Sequence, residues 1–152
     1  MTGMTGPAVV VGVSPNSGSP GALRWGADEA RLRGVPLRAV MAWHSPRPPA
    51  GPTALASVHT ASGAATGAEA AAVETLRGFV AGALGSADGV ECRVVEGTAV
   101  NALISAAGEA ELLVVGESRA GAAGTVRTGW LAPQLISKAH CPVVVMPNSH
   151  VT

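Results

Sequence analysis

Five apolar runs divide the chain: Ala8–Val13, Leu37–Trp43, Val90–Glu96, Leu112–Gly116 and Pro142–Met146. Each has the length of a strand. The first, fourth and fifth are unbroken and Val/Leu-rich, as in parallel strands covered on both faces. The third alternates at Val90, Cys92 and Val94, which predicts one wetter face. Between the runs, apolar residues recur at helical spacing. Leu23, Ala27 and Ala30 follow Ser19 and Pro20, where the serine reads as a cap, the proline suits the first turn, and Gly34 supplies the stop. Val73, Leu76, Val80 and Leu84 form a second stripe. Val100, Leu103, Ile104 and Ala107 form a third behind a Thr98 cap, and Leu131, Leu135 and Ala139 a fourth. Strand and helix alternate throughout, so the expected fold class is α/β: an open parallel sheet with helices on both faces.

One connection breaks the rhythm. His44 to Gly67, "HSPRPPAGPTALASVHTASGAATG", is rich in Pro, Gly, Ala and Ser, and its length predicts a long loop or lid. With 152 residues and no internal repeat, the chain is expected to form a single domain over 1–152. Hydrophobic residues make up 47% and charged residues 13%, a globular composition. Net charge is zero and the ten basic residues are scattered, which argues against a nucleic-acid partner. The first residues lack a basic run, and the apolar run after them is too short for a signal peptide or a span. The expectation is therefore a cytoplasmic protein with no membrane association.

Catalytic chemistry finds little support. Cys92 and Cys141 lie far apart inside strand-like runs and read as reduced structural thiols. His44, His59, His140 and His150 show no metal spacing, so no metal is expected. Asp28 and Glu29 are helical neighbours that point apart, and Ser14 has no identifiable base. No catalytic residue is assigned, and the chain is not expected to be an enzyme.

The stretch "VVGESRAGAAGTVRTGW", Val114 to Trp130, leaves a strand, passes through glycines and enters a helical pattern, the local form of a phosphate cradle. It belongs to a wider resemblance. "VVVGVSPNSGSPGALRWGADEARLRGVPLRAVMAW", "VVEGTAVNALISAA" and "LLVVGESRAGAAGTVRTGWLAPQLISKAHCPVVVMP" together resemble the universal stress protein family, its actinobacterial members in particular. The resemblance covers nearly the whole chain. It implies a Rossmann-like five-stranded sheet of order 3-2-1-4-5 and a homodimer through the last strand, Pro142–Met146. In that order a crevice opens between the first and fourth strands, lined by Gly12, Val13, Ser14, Ala42, Val115 and Gly116.

Nucleotide-binding members of that family carry an Asp after the first strand and a loop of the form Gly, two residues, Gly, nine residues, Gly, then Ser or Thr. This chain keeps Gly116 and Gly129 at that separation but has Ser14, Arg119 and Trp130 at the other three positions. Exchanging a charge-assisted bond for a neutral one at Ser14 loses about 1 kcal/mol. Arg119 brings a side chain where backbone must approach closely, Trp130 an indole where a hydroxyl belongs, and Glu117 a negative charge. Pro133 predicts a last helix starting near itself, about one turn late, with its positive end drawn away from the loop.

Two readings of the crevice stay open. In one, the protein binds ATP weakly or not at all, holds no cofactor, and acts as a non-catalytic regulatory or stress-response protein through its dimer and a regulatory protein partner. In the other it senses ATP, AMP or a cyclic nucleotide in a modified pocket, with Arg119 and Arg127 replacing lost contacts. A slow nucleotide hydrolase is a third and weaker reading. The bland alternatives are glycines that only turn the chain, an Arg119 paired with Glu117, and Trp25 and Trp43 that only pack.

Overall fold

The computed structural model describes residues 6–15, 18–44, 54–116 and 131–147, with backbone alone for 54–66. Five strands, β1 (Val9–Gly12), β2 (Leu37–Trp43), β3 (Glu91–Glu96), β4 (Leu112–Gly116) and β5 (Val143–Met146), form one sheet of order β3-β2-β1-β4-β5. Every pairing is parallel. Four helices make the crossovers: α1 (Pro20–Arg33), α2 (Ala54–Leu84), α3 (Ala99–Ala106) and α4 (Leu131–Lys138). The alternation of elements predicts an open parallel sheet with helices on both faces, and the strand order is the Rossmann-like one that the resemblance implies.

The sheet separates two apolar layers. On one face Val9, Val11, Leu37, Ala39, Met41, Leu112 and Val114 meet Leu23 and Ala30 of α1 and Leu76 and Val80 of α2. On the other, Val10, Val40, Leu113 and Val115 meet Val100 and Leu103 of α3 and Leu135 of α4. Alternate residues of one strand thus serve opposite layers, which is why β1 and β4 are apolar at every position. The contact of α1 with β1 is close: a Cβ on Gly26 would stand 2.5 Å from Val11 Cγ2.

Among the described residues, one charged side chain is buried, on the second layer's face. Arg38 is 1% exposed, and its Nε donates to Glu91 Oε1 at 2.7 Å across the β2–β3 pairing. At the outer end of α1, Arg31 pairs with Asp28 and Arg33 with both Glu29 and Glu111. Donating these hydrogen bonds to the carboxylates of Glu29 and Glu111 raises the Arg33 pKa further. Asp28 and Glu29 are thereby accounted for as surface partners of arginines.

Three local expectations are corrected. Helix α2 begins at Ala54, so 54–67 is helix, whereas the sequence reading made 44–67 a loop or lid. The last proline before α2 is Pro52, and the alanine-rich stretch after it propagates helix despite its glycines. Helix α4 begins at Leu131, two residues before Pro133 and not at it. Leu131 and Ala132 are already helical, so the helix does not wait for Pro133 as expected. Ser19 occupies the N-cap position of α1 but its hydroxyl does not cap the helix. The other boundary signals act as read: Gly34 ends α1 with φ 70, and Thr98 Oγ1 accepts from Asn101 N–H at 3.2 Å.

Candidate functional site

β1 is followed by α1 in one apolar layer and β4 by α4 in the other, so the carboxyl ends of these neighbouring strands mark the switch point of the sheet, where a crevice opens. Register fixes its lips. Gly12 stands beside Val40 of β2 and Val115 of β4, which leaves Val13 and Ser14 on one lip and Gly116 on the other. Val13 N–H still donates to Val40 O at 2.9 Å, so the chain departs from the sheet only at Ser14.

The residues assigned to the crevice separate into floor and rim. Val13 and Val115 are 5% and 3% exposed and belong to the two apolar layers. Gly12 is buried as well, and a Cβ there would lie 2.8 Å from a methyl of Leu103 and 3.1 Å from Val115 Cγ1. Its missing side chain is explained by the approach of α3. Ser14 and Gly116 are half-buried at the rim, with Ala42 half-buried near the end of β2. Arg119, Gly129 and Trp130, together with Glu117 and Arg127, lie outside the described residues.

The lip after β1 is a braced turn. Gly18 N–H donates to Ser14 O at 2.8 Å, and Ser14 N–H donates to Ser19 Oγ at 3.1 Å. Gly18 has φ 73 and is packed beneath Phe79 of α2, where a Cβ would come within 2.6 Å of the ring. Ser19 itself has φ 46 and ψ 53, and among the described residues no other side-chain-bearing residue has positive φ. Its hydroxyl faces the end of β4, where a Cβ added to Gly116 would stand 3.8 Å from Ser19 Oγ. Sequence reasoning treated Ser19 as a helix cap and overlooked Gly18 and Phe79. A glycine directly before Ser-Pro was the available signal for a left-handed entry to α1.

Among the described residues, this rim is electrostatically neutral. Val13, Ser14, Ser19, Ala42 and Gly116 carry no ionisable group. The groups with displaced pKa values lie elsewhere. Burial raises the thiol of Cys92, on β3, against a smaller lowering from Arg77, and burial raises that of Cys141, just before β5. Those two positions are at opposite edges of the sheet, four strand spacings or about 19 Å apart. The rim as described can hydrogen-bond to polar ligand groups through hydroxyls. It supplies no carboxylate.

Among the described residues, no helix is long and apolar enough to cross a membrane. A family model described as the universal stress protein family matches residues 7–147. A universal stress protein of Mycobacterium tuberculosis is 31% identical over 140 residues, covering 91% of this chain and 47% of its own length. The chain thus spans about half the length of the curated relatives it matches. Among solved structures, a universal stress protein in complex with cAMP aligns with a TM-score of 0.54 at 22% identity, covering 94% of this chain and 98% of that one. A universal stress protein family protein from Arabidopsis thaliana with AMP bound aligns with a TM-score of 0.51 at 17% identity, covering 93% and 92%. By the extent of the family match, the identity to the mycobacterial relative and the strand order, the chain belongs to the universal stress protein family.

Proposed function

We propose that this protein is a non-catalytic regulatory member of its family, cytoplasmic and homodimeric, whose crevice holds adenine nucleotides weakly and gains little from the triphosphate of ATP. The observation that carries this reading is the neutral lip after β1. Ser14 replaces the carboxylate of nucleotide-binding members, and its N–H is engaged by Ser19 Oγ. The sequence adds Arg119 and Trp130 at positions where the ATP-binding pattern has Gly and Ser or Thr. Regulation then acts through the dimer and a regulatory protein partner.

The adenine-sensor reading keeps support from relatives solved with cAMP and with AMP. Both ligands carry a single phosphate, so neither demands the full cradle. Calorimetry of freshly purified protein against ATP, AMP and cAMP separates the readings. Dissociation constants above about 100 μM for ATP, with AMP or cAMP at least as tight, support the proposal. Low-micromolar ATP binding would overturn it, and multiple-turnover phosphate release above a Ser14→Ala control would make the protein an enzyme.

The dimer is proposed to pair through β5. Val143–Met146 is an apolar sheet edge, Val145 on it is 39% exposed, and Ile136 of the adjacent α4 is 62% exposed. The opposite edge, β3, carries Glu91, Arg93 and Glu96. Charges protect an edge against pairing and their lack invites it. An isologous contact between two β5 strands would continue the sheet across both copies.

A further inference from the structure

Ser19 sits in a backbone conformation that disfavours any side chain, at the entrance to a helix whose N–H groups a serine could have capped. Its hydroxyl instead accepts the N–H of Ser14, five residues earlier. The turn between them is closed by Gly18 N–H to Ser14 O and braced from behind by Phe79 of α2. Across the crevice the same hydroxyl lies beside Gly116 on the β4 lip. One side chain thus bonds one lip of the topological switch point and lies near the other. Left-handed strain at a residue other than glycine persists where the surroundings over-determine it, and such positions gather at ligand sites.

We propose that Ser19 is a positioning residue: it fixes Ser14, and with it the β1 lip, against which a ribose-bearing ligand seats its sugar hydroxyls. The ligand part rests on the crevice being an adenine-nucleotide site. A serine hydroxyl both donates and accepts, so it matches a ribose hydroxyl as a neutral partner where a carboxylate can only accept. Loss of the Ser19 hydroxyl frees the Ser14 N–H and lets the lip relax. The effect on a ligand should then fall on its sugar and not on its phosphate.

The test uses wild type, Ser19→Ala and Ser19→Asn. Asparagine tolerates left-handed backbone and its side-chain oxygen can accept the Ser14 N–H. Amide exchange at Ser14 is followed by NMR without ligand, and AMP and 2′-deoxy-AMP are titrated by calorimetry. Ser19→Ala should speed Ser14 exchange by about tenfold while the amides of Val9–Val11 keep their protection. It should weaken AMP by about three- to tenfold and shrink the preference for AMP over its deoxy analogue, and Ser19→Asn should restore both. Unchanged Ser14 exchange in a protein that binds AMP overturns the role of Ser19 alone. Equal weakening of both ligands without rescue by asparagine does the same. Exchange that responds to Ser19 in a protein that takes up no AMP upholds the positioning role and overturns the nucleotide reading.

Discussion

Replacing Gly26 with alanine should destabilise the protein, although the same change elsewhere in its helices should stabilise it. A glycine-to-alanine change within a helix ordinarily gains about 1 kcal/mol, because glycine loses more backbone freedom on folding. At Gly26 the new methyl would stand 2.5 Å from Val11 Cγ2, with Leu37 Cδ1 at 3.5 Å and Val9 Cγ1 at 3.7 Å behind it. Comfortable carbon contacts begin near 3.5 Å, so the overlap is about 1 Å. Val11 is 0% exposed on the central strand, paired to β2 on one side and β4 on the other, and cannot swing aside. Helix α1 must shift outward instead, and overpacking of this kind costs about 1–3 kcal/mol. With the helix gain subtracted, the net expectation is a loss of up to about 2 kcal/mol, or up to about 4–8 °C in Tm for a chain of this size.

Gly78 provides the control, because it lies within α2 with nothing inside 4 Å of an added Cβ. Gly78→Ala should raise Tm by about 2–4 °C. Thermal unfolding of the two variants beside wild type, followed by circular dichroism, gives the answer. A Gly26→Ala protein as stable as Gly78→Ala would mean that α1 sits further from β1 than the structure places it, and the close-packing argument would fail.

Three more expectations follow from the same contacts. Glu91→Ala should cost about 1–3 kcal/mol in urea denaturation, because it removes a partner from the buried Arg38, whereas Arg38→Met should cost less by clearing the buried charge itself. The half-buried thiols of Cys92 and Cys141 have pKa values raised above the ordinary 9.0, so the unfolded chain gives up their protons first. Their contribution is complete below that value and is lost as pH rises through the folded pKa, so wild type should lose more stability between pH 8 and 10, on the order of the thiol titration range, than a Cys92→Ala/Cys141→Ala variant. Equal slopes for the two proteins would contradict this. On β5, Val145→Lys should yield a folded monomer by light scattering, while Val144→Lys should also lower stability, since Val144 packs into the core; a wild-type monomer at micromolar concentration removes the proposed pairing.

The strands were legible because their signal is collective. An unbroken run such as Leu112–Gly116 needs apolar cover on both faces, and four parallel pairings then follow from the alternation with helices. The start of α2 was not legible: between Ala54 and Gly67, glycines, serines and threonines weaken the periodicity that marked Val73 to Leu84, and composition alone suggested a loop. Gly12 misled in another way. It lies at the end of β1, where a ligand glycine belongs, yet its lack of a side chain answers to Leu103, ninety-one residues further along and invisible to local reading. Ser19 shows the converse limit. Its identity suggested a cap, but the hydroxyl turns to Ser14 N–H from a backbone φ of 46, directly after a Gly18 packed beneath Phe79.

These cases explain why family membership carries the fold further than the ligand. The lips of the crevice are set by Val9–Gly12 and Leu112–Gly116, whose residues are held in the core by both layers and whose register is fixed by pairing. Ser14 lies just past that frame, half-buried, where a change of side chain disturbs little packing. A carboxylate can therefore give way to a hydroxyl at Ser14 while strand order and crevice shape persist. Chemistry at such a rim is free to diverge as the frame is conserved by packing, and the function has to be argued from the rim. Here the described rim, at Val13, Ser14, Ser19 and Gly116, carries no charge and is hydrogen-bonded within itself, which is why the proposed role places weak nucleotide binding and dimer-mediated regulation ahead of ATP-driven chemistry.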